Sequence, residues 1–200
     1  MRKSVLLVSV LALIFATAAS AGNYIDFTND TPSGKPNGWQ SVDSNQVSFF
    51  DSFGQDLEVA DYGNQSHGQG LAVYWDSDPS FLIMQFATPC TILQLAFGND
   101  EPGWITPGDY AELRIFSNNV QVGLSRVIMN RDDIMNQSIG IGGITFDKAE
   151  FEYVVIHPFD GGPGLIEVVD DIGFCPVVPE PSSFMALGLG LAGLLFRRRR

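Results

Sequence analysis

The chain has 200 residues, 45% of them hydrophobic, with 23 acidic residues against 11 basic ones and a formal net charge of −12. That balance excludes non-specific binding to nucleic acid or to an anionic membrane surface, which carry charge of the same sign. His67 and His157 are the only two histidines, so groups for proton transfer near neutral pH are scarce.

The chain opens with a basic Met1-Arg2-Lys3, an apolar stretch over residues 5–16 and a small-residue Ala19-Ser20-Ala21 before Gly22. This order predicts a secretory signal peptide over residues 1–21 and an oxidising destination. Residues 22–178 then have the size of one ordinary domain. Six of the 11 basic residues lie in the two terminal segments. Five therefore remain in residues 22–178 against 22 acidic ones, a charge near −17. Such a surface suits solubility or divalent cations.

Short apolar and alternating runs predict strands at residues 24–27, 46–50, 71–75, 81–86, 91–97, 111–116, 120–127, 138–141, 150–157 and 165–174. Period-two alternation is clearest where Phe151, Tyr153 and Val155 interleave with Glu150 and Glu152. Breaker clusters such as Asp78-Pro79, Glu101-Pro102-Gly103 and Pro107-Gly108-Asp109 separate the runs. Asn118-Asn119 predicts a tight hairpin, because asparagine tolerates positive φ. Sustained helical periodicity is missing from this region. The expected fold is all-β, a two-sheet β-sandwich. Polar segments at 29–46 and 61–70 are long enough for functional loops.

Catalytic signatures are absent: no G-x-S-x-G, no H-E-x-x-H and no phosphate-binding loop occurs. His67 stands in the Gly-rich stretch NQSHGQG and reads as a solvated turn residue, while His157 ends a strand before Pro158. Oxygen-rich clusters suit Ca²⁺: Asp26, Asn29 and Asp30; Asn99, Asp100 and Glu101; Glu167, Asp170 and Asp171. Asp170 and Asp171 are consecutive in a predicted strand, so only a bulge would bring both to one site. Trp104 and Trp39, both in loops, are candidates for stacking on a sugar ring, whereas Trp75 reads as core. Cys90 and Cys175 are the only cysteines, so an intramolecular bridge in an oxidising compartment has to join them. It would close a loop of about 85 residues and contribute about 4–5 kcal/mol in the chain-entropy model.

The C-terminal segment has three parts in order: Pro179-Glu180-Pro181, an apolar run over residues 184–196, and Arg197, Arg198, Arg199 and Arg200. As a helix, residues 182–196 would span roughly 22 Å, short of the roughly 30 Å hydrocarbon core unless arginines snorkel. The arginines argue for a cytoplasmic C-terminus. Residues 179–200 resemble a PEP-CTERM sorting tail. The resemblance implies an exosortase as partner, transient anchoring in the inner membrane, and export to the envelope or extracellular matrix of a Gram-negative bacterium.

A second resemblance covers Leu95–Asp100, Asn130–Asp133 and Glu167–Phe174. These segments look like parts of jelly-roll, galactose-binding-like domains found with such tails, which close with a strand matched here by VDDIGF. That likeness implies an extracellular sandwich with a structural Ca²⁺ near its first and last strands, here Asp26 or Asp30 with Asp171. The resulting expectation is a non-enzymatic matrix or glycan-binding protein whose partner is an exopolysaccharide. A polysaccharide hydrolase and a purely structural adhesion protein are the alternatives.

Overall fold

A computed structural model describes residues 23–73, 80–99, 103, 105–156 and 166–177. The expected signal peptide, sorting tail, Trp75, Trp104, Asp100, Glu101 and His157 lie outside the described residues. The described part falls in the compact unit Ala21–Val177. Its strands are β1 (Asn23–Ile25), β2 (Ser33–Lys35), β3 (Trp39–Ser41), β4 (Ser44–Asp51), β5 (Leu57–Asp61), β6 (Gln69–Val73), β7 (Leu82–Asn99), β8 (Tyr110–Ser117), β9 (Val120–Ile128), β10 (Gln137–Val154) and β11 (Glu167–Pro176). One 3-10 turn, Gly63–Gln65, interrupts the β5–β6 connection.

All eleven strands belong to one antiparallel sheet, ordered β2-β5-β6-β11-β7-β10-β8-β9. In addition, β1 pairs with β11, and β4 carries β3 and pairs with β7. The expected division into two separate sheets is thus corrected to one continuous sheet. Two 18-residue strands, β7 and β10, make the difference. The gaps left between the expected strands 81–86 and 91–97, and between 138–141 and 150–157, contain Thr88-Pro89 and Gly142-Gly143, which are bends within long strands. Gly143 supplies a positive φ of 82° at the β10 bend. Register shifts between β7 and β10 fall at the same place, on either side of the Phe146–Cys90 pair.

The bends fold the sheet onto itself. Leu82 pairs with Phe151 and Phe97 pairs with Gln137. In a straight strand, Phe97 would stand roughly 50 Å from Leu82 at about 3.3 Å per residue. Instead its ring lies 5.7 Å from that of Phe151 and 5.9 Å from that of Tyr153. Phe86 likewise meets Phe146 at 5.4 Å and Phe174 at 5.5 Å. Phe27, Phe49, Phe97, Phe146 and Phe151 are fully buried in the resulting core. Each such aromatic contributes several kcal/mol of burial, on the order of 3–5 kcal/mol if truncated to alanine. The hairpin expectation is met: Asn118 and Asn119 have φ of 51° and 63°, and Ser117 pairs with Val120.

The alternating pattern of β8, β9 and β10 leaves a charged face opposite the core. Glu112 pairs across the strands with Arg126 and with Glu152, and Arg114 pairs with Glu150. Arg114 lies 2.8 Å from Glu152, 3.3 Å from Glu150 and 3.7 Å from Glu112. Arg126 lies 2.6 Å from Glu112, and Lys148 2.9 Å from Glu150. Three of the five basic residues of the domain are spent here. Burial pushes the Glu152 carboxyl above its ordinary range despite Arg114.

The expected Cys90–Cys175 bridge is corrected: both are free thiols. Register pairs Cys90 with Pro176 and Cys175 with Ile92. Phe174 turns into the core, so strand alternation sends Cys175 to the other face, while Cys90 is wholly buried. Burial pushes the Cys90 thiol up to about 12.

Two outcomes follow. Native protein should take up one equivalent of maleimide, at half-buried Cys175, and two after unfolding; mass spectrometry reads the count. Replacing Arg114 with Met strips Glu152 of its cation while Glu112 and Glu150 keep Arg126 and Lys148, and should cost about 3 kcal/mol in urea denaturation.

Candidate functional site

The site begins in the β5–β6 connection. Asp61 accepts a hydrogen bond from the Gly63 amide at 2.8 Å. Ser66 accepts one from the Tyr62 amide at 3.0 Å and donates to the Gly68 carbonyl at 2.7 Å. These local bonds curl the segment over β7, where Gly98 lets it approach. A Cβ at Gly98 would stand 2.6 Å from the Gln65 carbonyl oxygen. The result places His67 above β11.

At that point β11 bulges. Asp171 adopts a φ of 53°, and the register with β7 shifts between Asp170 and Gly173. Aspartate is one of the few non-glycine residues that take this conformation readily. Consecutive strand residues ordinarily face opposite sides; the bulge brings both carboxylates to His67. The His67 amide donates to Asp170 Oδ2 at 2.9 Å, and the Asp171 amide donates to Asp170 Oδ1 at 2.8 Å. His67 Nδ1 lies 2.6 Å from Asp171 Oδ2, and Nε2 lies 3.0 Å from the Met135 carbonyl oxygen. The Tyr24 hydroxyl donates to Asp171 Oδ1.

Met135 is itself fixed by its amide donating to Asn64 O at 2.8 Å. The following residues are locked by Asn130, whose side chain donates to Asp132 at 3.1 Å and to Asn136 at 2.6 Å. Gln137 accepts from the Asn130 amide at 2.8 Å and donates to Ile128 O at 2.8 Å. Between the two loops lies a cavity of about 260 Å³. Gln94 and Ala96 of β7 and Ser138 of β10 line it, with His67 and Asp171 on one side and residues 135–137 on another.

Electrostatics follow from this arrangement. The hydrogen bond to Asp171 raises the pKa of His67, and burial is the main cause that pushes Asp170 up to about 6. Both ring nitrogens of His67 face oxygen acceptors, so both are satisfied only in the imidazolium. Nε2, which would take a proton from a hydroxyl in a Ser-His-Asp arrangement, is turned to a carbonyl instead. Ser138 shares the cavity without a hydrogen bond to His67.

The expected site residues separate. Only Asp171 of the three expected Ca²⁺ ligands belongs to the cluster with His67 and Asp170. Asp26 accepts from the Thr28 amide at 3.0 Å. Asp30 is buried, and its two oxygens accept from Ser41 Oγ at 2.6 Å and the Val42 amide at 2.9 Å. Glu167 is buried near Tyr153, accepting from its amide at 3.3 Å. Trp39, expected to stack on a sugar, packs on Phe27 and Phe49 with centroids 6.3 and 5.8 Å away. Lys35 Nζ stands 5.1 Å from its ring. His67 was legible only as a turn residue, since its partners lie 103 and 104 residues away.

The pH dependence has a definite sign. His67 holds its proton more tightly folded than unfolded, so its contribution is complete below about 6.5 and is lost as pH rises through the raised folded value. The fold disfavours the charged form of Asp170, so stability also falls as pH rises from about 4 to about 6. In chelator-treated buffer the urea midpoint should therefore fall as pH rises from about 4 through the raised titration of His67. His67→Gln should flatten the upper part of that decline and Asp170→Asn the lower part.

The PEP-CTERM protein-sorting motif matches residues 177–200. The chain is thereby marked as a secreted protein targeted to exosortase and anchored transiently at the membrane before sorting. Among the described residues, which exclude 178–200, no helix is long and apolar enough to cross a membrane. No curated protein and no solved structure matches the chain. Its firm assignments are therefore an exosortase-targeted export signal and an all-β antiparallel domain.

Proposed function

We propose that the exported domain is a non-enzymatic component of the cell envelope or exopolysaccharide matrix and binds a glycan in the cavity beside His67. The observation that carries this reading is the pairing of Gln94 and Ser138 on the cavity. Neither side chain makes a hydrogen bond among the described residues. The cross-strand neighbours of Gln94 are Gly173 on β11 and Gly140 on β10, so its amide stands clear of flanking side chains. An amide offers two donors and an acceptor, and a serine hydroxyl offers both roles. Such groups match vicinal hydroxyls, and a cavity of about 260 Å³ suits a small polar ligand such as a sugar unit. The likeness of VDDIGF to galactose-binding-like domains points the same way.

Retention on exopolysaccharide from the producing cells tests the proposal. Wild type should be retained, and Gln94→Ala with Ser138→Ala should weaken retention by at least about tenfold, the worth of one or two lost hydrogen bonds. Retention unchanged by both substitutions would sink the reading. Release of reducing ends would move the protein to the hydrolase class.

A further inference from the structure

We propose that His67, Asp170 and Asp171 bind a divalent transition-metal ion of the zinc class at the edge of the cavity. The ligand atoms of the three residues lie within 4.8 Å of one another, although the residues come from a loop and a strand far apart in sequence. One imidazole nitrogen with two carboxylates is a borderline nitrogen–oxygen donor set. It suits zinc and its neighbours better than Ca²⁺ or Mg²⁺, which prefer all-oxygen shells. With a neutral imidazole the three ligands carry two negative charges, matching a divalent ion.

The surroundings of the ring point independently to a metal. A ligating histidine ordinarily donates its other N–H to a carbonyl or carboxylate, which fixes the tautomer and the ring plane. Here Nε2 faces the Met135 carbonyl at 3.0 Å, which leaves Nδ1, 2.6 Å from Asp171 Oδ2, as the ligating atom. That carbonyl belongs to a different loop, held by Asn64. Asp170 is similarly oriented from behind, since both of its oxygens accept backbone amides. The adjoining cavity, of about 260 Å³, has His67 and Asp171 on its lining and gives an ion both an entry path and room for further ligands. The proposal goes beyond the glycan reading and does not depend on it.

Calorimetric titration of the chelator-treated, signal-free protein with Zn²⁺ is the test. Cys90 and Cys175 are replaced by Ala in the background, so that thiols cannot bind the ion. One saturable site is expected, unaffected by millimolar Ca²⁺. His67→Gln and Asp171→Asn should each weaken it by about tenfold or more. Co²⁺ provides a second readout, because its visible spectrum should report nitrogen and oxygen ligands in wild type and change in His67→Gln. Far-ultraviolet circular dichroism confirms that each variant is folded. No saturable site at millimolar Zn²⁺ overturns the proposal, as does a site of full affinity in both variants. Exopolysaccharide retention measured in chelator separates this outcome from failure of the glycan reading.

Discussion

Strands β7 and β10 each have to bend, and the rest of the domain depends on it. An antiparallel sheet of this length, if flat, would expose the apolar side of every strand. Folding β7 and β10 back brings Phe97 onto Phe151 and Tyr153, and closes one face of the sheet against itself. The bend also changes the partner of β7. Its first half pairs with β4, and its second half pairs with β11. The outer face of the second half is then left to carry the cavity, with Gln94 and Ala96 lining it from β7 and Ser138 from the neighbouring β10. A single device thus makes the core and exposes the site.

The acidic composition has a structural explanation as well as an electrostatic one. Four buried aspartates, Asp30, Asp51, Asp109 and Asp170, hold backbone amides in loops. Asp51 accepts from the amides of Phe53 at 3.0 Å and Gly54 at 2.6 Å. Asp109 accepts from the amides of Thr106 at 2.7 Å and Ile156 at 2.8 Å, joining two loops. A carboxylate can satisfy several donors at once, so it organises turns that lack regular hydrogen bonding. The basic residues are used where carboxylates crowd. Arg114 meets three glutamates on the face of β8 and β10, with the ring of Phe81 5.1 Å beneath its guanidinium. Much of the charge that reads as potential metal ligation is therefore committed to folding.

The cluster around His67 differs from those loop aspartates in having a second purpose available. Backbone groups hold His67 and Asp170, and His67 and Asp171 line a cavity while Asp170 lies buried beneath them. The Asp171 bulge is the local feature that permits this, since it turns two consecutive carboxylates toward one histidine. Tyr24 on β1 also reaches Asp171, so the first and last described strands meet at the same carboxylate. The resemblance had paired the first strand with Asp171. The first-strand residue that reaches Asp171 is a tyrosine, while Asp26 and Asp30 hold other partners.

The sequence by itself determined the elements whose causes are local. Alternation at Phe151 and Tyr153, the paired asparagines of the β8–β9 hairpin and the tripartite C-terminal motif need only near neighbours to be read. It also ended strands at residues 86 and 141 and began new ones at 91 and 150, where the folded chain bends and continues, because local chemistry does not distinguish a bend from an end. Whether β7 stops or continues depends on partners supplied by β4, β10 and β11. The packing of Trp39 on Phe27 and Phe49 and the separation of the two thiols are not legible for the same reason, because strand register decides which face a side chain occupies. His67 lies furthest from what a sequence can show. Its environment is made by residues more than a hundred positions away, and only the folded sheet, with its bulge at Asp171, brings them within hydrogen-bonding distance.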